Sequence, residues 1–219
     1  MLSRIFSRSK LPNFVINFID MNTVITDINQ LDLNGNYTYA DYLLWQFKER
    51  VELLRGKIFK MSPAPSRKHQ DISWNLIREI DIAFNKTDCK MYAAPFDIRL
   101  INYKASTNDN QIISVVQPDI CVICDKAKLD DKGCLGAPDL IVEIISPGNS
   151  IKEMDLKFDL YQENGVQEYW IVNPTDETVF IYVLENDNYI GLKPAINGTI
   201  LKSPTFTNLS FSVKNIFDV

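Results

Sequence analysis

Four side chains in this 219-residue sequence are of types that carry out metal-assisted phosphoryl chemistry, and they stand where an ordinary core would not place them. Asp119 follows Pro118 inside the apolar run from Val115 to Cys124. Burying a carboxylate there is costly unless it is paired or binds a cation. Glu143 is the one charge in Leu140 to Ile145, a nearly all-apolar run with the pattern of a strand covered on both faces. Lys157 falls inside the apolar arc that Ile151, Met154, Phe158, Leu160 and Tyr161 form at about 100° per residue, so its ammonium either snorkels to water or meets a buried anion. Glu52 offers a third carboxylate. Carboxylates from neighbouring strands hold a divalent cation through oxygen. A lysine beside them orients or deprotonates a water while the metal polarises a phosphoryl oxygen. Each residue also has an ordinary alternative: a turn at Pro118, a structural ion pair at Glu143, a solvent-facing position at Glu52.

The elements that must position these groups can be read from periodicity. Tyr39 to Glu49 reads as a helix, and Val51–Leu54 with Lys57–Met61 as a hairpin about Arg55-Gly56. After the breaker Ser62-Pro63-Ala64-Pro65-Ser66, the spacing of Ile72, Leu76, Ile80 and Phe84 predicts an amphipathic helix. Lys90 to Leu100 and the interrupted run Ile112 to Cys124 are expected strands, as is Leu140 to Ile145. Ser150 and Glu153 form a capping box for a helix that ends at Asn164-Gly165, and Glu168 to Val172 returns as a strand. That helix, following the Glu143 strand directly, can fold back and deliver Lys157 to Glu143. Strands alternating with helices predict a mixed α/β domain with a central sheet.

Composition narrows the function classes. With 46% hydrophobic and 23% charged residues the chain is an ordinary globular one, long enough for one substantial core. No apolar run approaches the roughly 18 residues of a membrane span. A net charge of −5 excludes nucleic-acid binding by bulk positive charge; the best local basic cluster is Arg55, Lys57, Lys60, Arg67 and Lys68. The four cysteines read as reduced thiols. Residues 1–20 read as an extension, with Met21 a possible true start, and 21–219 as a single domain.

The ordered series Gln117-Pro118-Asp119-Ile120, then Ala137-Pro138-Asp139-Leu140-Ile141-Val142-Glu143-Ile144-Ile145-Ser146-Pro147, then Asp155, Lys157, Tyr161 and Gly165-Val166-Gln167-Glu168-Tyr169-Trp170-Ile171-Val172-Asn173-Pro174, resembles the Uma family of restriction-endonuclease-like proteins in the PD-(D/E)XK nuclease superfamily. The stretch Glu52 to Ile58, with Met61 to Pro65 and His69, resembles the family's N-terminal half. The resemblance implies a restriction-endonuclease-like mixed central sheet flanked by helices. It also implies a DNA endonuclease with Asp119 and Glu143 on a divalent metal, Mg2+ or Mn2+, in the cytoplasm, and a possible homodimer to cut two strands. The superfamily's lysine position is occupied by Ile145, so Lys157 is the candidate supplied from the next helix. His69 and Asp97 are candidate second-layer or substrate contacts. The alternative is a catalytically inactive nuclease fold that binds nucleic acid or protein.

Overall fold

Pro118 divides one apolar run between two sheets. The computed structural model describes residues 23–61, 64–101, 107–146 and 151–219. In it the run yields two short strands on either side of Gln117-Pro118-Asp119 that join different sheets. Proline cannot donate to a ladder, so the pairing partner changes there. The first sheet holds β1 (Val51–Leu54), β2 (Lys57–Lys60), β4 (Ile98–Arg99), β5 (Val115–Val116), β7 (Leu129–Asp130) and β8 (Gly133–Leu135) in the order β2-β1-β5-β4-β8-β7. The second holds β3 (Lys90–Ala93), β6 (Ile120–Ile123), β9 (Leu140–Ile144), β10 (Glu168–Asn173), β11 (Thr178–Glu185) and β12 (Asn188–Gly191), ordered β12-β11-β10-β9-β6-β3, with β13 (Ala195–Ile196) also on β11. A hairpin of β14 (Ile200–Lys202) and β15 (Ser210–Ser212) follows. The helices are α1 (Tyr39–Tyr42), α2 (Arg67–Phe84), α3 (Ile151–Asn164) and α4 (Lys214–Phe217).

Period-two alternation gives the second sheet two buried faces. Ile120, Val122, Leu140, Val142 and Ile144 pack against Ile72, Leu76, Ile80 and Phe84 of α2. Each of those α2 side chains, fully removed from water, contributes about 1.5–3 kcal/mol. On the opposite face Cys121, Ile123 and Ile141 meet Leu160 and Tyr161 of α3 and Leu54 of β1. Parallel β9 and β10 are joined by α3, the crossover that a parallel pair requires. The β1–β2 turn has Arg55 at φ 50° and Gly56 at φ 79°, the two positive angles of a type I′ hairpin.

Three expectations are corrected. The helix at Tyr39 stops at Tyr42 rather than Glu49. Ile151, placed on the apolar face of α3, is 80% exposed at its first residue. The cysteines are not all thiols: Cys89 and Cys124 form a disulfide, while Cys121 and Cys134 are free and buried. The antiparallel register Lys90↔Ile123 brings Cys89 opposite Cys124, a pairing that residue spacing alone does not reveal. Closing a 35-residue separation should stabilise by about 3–4 kcal/mol through the unfolded chain. A reductant should therefore lower the melting temperature of the wild type and leave Cys89→Ser unmoved, as thermal melts would show. The cap at Ser150 and the reading of residues 1–20 and Met21 lie outside the described residues.

Candidate active site

Glu143 lies on the α3 side of β9, because its neighbours Val142 and Ile144 face α2. Two turns into α3, Lys157 is buried and points back at it. The Lys157 Nζ donates to Glu143 Oε1 at 3.0 Å and stands 2.9 Å from Glu52 Oε2. Glu52, on β1, is 1% exposed, and its other oxygen accepts from the Gln117 backbone N–H at 2.7 Å. The Tyr161 hydroxyl, one turn after Lys157, donates to the same Glu143 oxygen at 2.7 Å. Asp119 sits just before β6. Its Oδ2 accepts from the Ile144 N–H at 2.8 Å and is 3.4 Å from His69 Nε2 in the first turn of α2.

Five of the six sequence-derived residues are thus tied by direct contacts in two groups: Lys157 with Glu52 and Glu143, and Asp119 with His69. Asp97 stands one layer back, accepting from Gln117 Nε2 at 2.7 Å and Tyr42 at 3.3 Å. Glu52 does not present a free oxygen pair for metal. Its two oxygens face Lys157 and Gln117, an arrangement able to hold the lysine in place. Sequence reasoning treated Tyr161 as core and gave Gln117 and Tyr42 no role. The position of Tyr161 four residues after Lys157 was the available signal, since residues so spaced share a helix face. Arg55 pairs with Glu163, Arg67 with Asp71, and Lys57 and Lys68 donate to backbone carbonyls. Those partners were invisible at a distance in sequence.

The electrostatics follow from two carboxylates facing one lysine, with the Asp119 charge acting on one of them, Glu143. Burial, reinforced by the charges of Asp119 and Glu52, pushes Glu143 up to about 7 against the pull of Lys157. Burial works against the Lys157 charge, but Glu143 and Glu52 outweigh it and hold the ammonium above the ordinary lysine range. Lys157 is therefore a fixed cation at neutral pH rather than a proton acceptor. The Asp119 carboxylate raises His69, with burial opposing. Desolvation raises Asp97, with Gln117 and Tyr42 opposing.

The donor set suits a hard divalent ion. Among the described residues no three His, Cys, Asp or Glu side chains gather at ligand spacing. Two carboxylates with water and phosphate oxygens are, however, the usual holding for Mg2+. A small cleft opens beside Glu143 and Lys157, walled by Ile145, Met154 and Ile171. Because an ion needs the Glu143 carboxylate unprotonated, Mg2+ should bind about tenfold more tightly at pH 8 than at pH 6. Titration calorimetry checks this, and an affinity flat across that range would refute it.

Comparisons with known proteins bear on the same residues. The Uma2 family model, described as "Putative restriction endonuclease", matches residues 39–214. A curated relative, the uncharacterized protein slr1290 of Synechocystis sp., is 27% identical over 150 residues, covering 67% of this chain and 74% of its own. Among solved structures, a crystal structure titled as a putative nuclease belonging to DUF820, from Anabaena variabilis, aligns with a TM-score of 0.63 at 21% identity. It covers 83% of this chain and 98% of that one.

Proposed function

Since the chain belongs to the Uma2 family, we propose that it is a divalent-metal-dependent endonuclease that hydrolyses DNA phosphodiester bonds, Asp119 and Glu143 holding Mg2+ or Mn2+. The observation that carries this reading is the charge imbalance in a buried place. Glu143 and Glu52 converge on one lysine while Asp119 adds its charge beside Glu143, and a divalent ion relieves the excess. The nuclease description of the family and the restriction-endonuclease-like fold support the same class. A bound metal supplies Lewis-acid polarisation of the phosphate and a more acidic water.

The protein's own groups do the rest. Lys157, protonated, sets a positive charge beside Glu143 where negative charge builds on the phosphate, a preorganised contribution. Glu52 and Tyr161 restrain the groups on either side of it. His69 steadies Asp119, and Asp97 acts at one remove. Ile145, in the superfamily's lysine position, becomes an apolar wall because Lys157 arrives from α3. A homodimer would bring two such sites together to cut two strands. No described helix is long and apolar enough to cross a membrane.

The test is cleavage of plasmid and single-stranded DNA with Mg2+ or Mn2+, comparing wild type with Asp119→Ala and Lys157→Ala. Cleavage lost in both variants supports the reading. Folded wild type that binds metal and cuts neither substrate supports a binding module instead.

A further inference from the structure

Gln117 stands in the link between β5 of the first sheet and β6 of the second, and is held through both its backbone and its side chain. Its N–H donates to Glu52 Oε1 at 2.7 Å. Its side-chain amide donates to Asp97 Oδ1 at 2.7 Å and to the Tyr42 oxygen at 3.2 Å, while its carbonyl accepts from Arg50 Nη2 at 2.7 Å. Glu52 lies on β1 and Arg50 stands just before its first residue. Gln117 therefore grips both Arg50 and Glu52, and Asp119 lies two residues further along the same chain.

Asp97 is itself anchored. Its carbonyl accepts from the Cys134 N–H at 2.9 Å. That approach requires Gly133, whose φ is +117° and whose added Cβ would lie 2.2 Å from the Asp97 oxygen. The chain of contacts runs from Gly133 and Asp97 through Gln117 to Glu52, and from Glu52 to the Lys157 ammonium.

We propose that Gln117 is a positioning residue, fixing the place of Lys157 relative to Asp119 by holding Glu52 with its backbone while Asp97, Tyr42 and Arg50 hold its side chain. For its effect on turnover this rests on the nuclease reading; for its effect on Lys157 it does not. A side-chain amide suits the position because it donates to a carboxylate on one side and accepts from a guanidinium on the other. Glutamate would keep the Arg50 contact and face the Asp97 carboxylate with another.

The experiment uses the full chain as wild type, Gln117→Glu, and Gln117→Glu/Asp97→Asn, in which the amide and the carboxylate change places. Two readouts are taken: kcat and KM on plasmid DNA with Mg2+, and acetylation of Lys157 by acetic anhydride, followed by mass spectrometry. Gln117→Glu should lower kcat about a hundredfold, the cost of displacing a reacting group by roughly an ångström, with KM little changed. Its Lys157 should acetylate faster than in wild type. The double variant should recover most of the rate and the protection. Unchanged Lys157 acetylation across the three proteins overturns the proposal, and so does a kcat loss that the double variant fails to recover. If wild type cuts no DNA while the acetylation pattern appears as expected, the nuclease reading fails and the positioning role stands.

Discussion

Lys157→Met is expected to lose about 3–5 kcal/mol of folding stability at pH 8, because it leaves Glu52 and Glu143 facing each other without the cation between them. The loss should be smaller at pH 5, where Glu143 is protonated and the uncompensated charge is reduced. Cleavage should fall by about 10²–10³, the usual penalty for removing one preorganised charge stabiliser. Lys157→Arg separates the two effects. It keeps the positive charge, so it should retain most of the stability. The planar guanidinium cannot occupy the same point, so cleavage should stay low. Chemical denaturation at the two pH values, with cleavage assays alongside, checks both. A Lys157→Met protein as stable as wild type at pH 8 would mean that the buried pairs do not form.

Glu143→Gln should act in the opposite sense on the metal-free protein. The folded state holds Glu143 at about 7, above its ordinary 4.5, so the group favours folding below 4.5 and that contribution is lost as pH rises toward 7. An amide has no such dependence. In EDTA the variant should therefore show a flatter melting temperature between pH 5 and 7 than wild type, and be no less stable at pH 8. With Mg2+ the order reverses. Wild type should gain about 2.7 kcal/mol at a hundredfold excess over Kd, and Glu143→Gln little or nothing. Thermal melts in EDTA and in Mg2+ across pH test this. A variant that keeps the wild-type slope in EDTA would show that another group titrates.

The residues that carry a charge into an apolar pattern were legible in the sequence, and they are the ones that meet in the fold. Glu143 breaks a doubly buried strand, and Lys157 breaks a helix face. The structure places both at one cleft because α3 is the crossover between β9 and β10. The hairpin at Arg55-Gly56 and α2 were legible for the same reason, being periodic and locally determined. What sequence did not show are contacts between distant elements. Cys89 meets Cys124 only because β3 pairs with β6. The partners of Arg55 and Lys68 come from α3 and from the chain after β10. The split of the Val115 run between two sheets was signalled by Pro118, but not which sheet each half would join. Asp97 and Gln117 gain their meaning from a two-sheet junction that no single element encodes.

Glu52 belongs to one sheet and Glu143 to the other, and the same ammonium holds both. The arrangement that readies the site is therefore also a mechanical coupling between layers. A protein whose two sheets shared only apolar contacts could loosen one layer while the other stayed ordered. Here, parting the layers also separates a buried ammonium from one of its carboxylates, which adds the cost of an uncompensated charge to any opening between the two sheets.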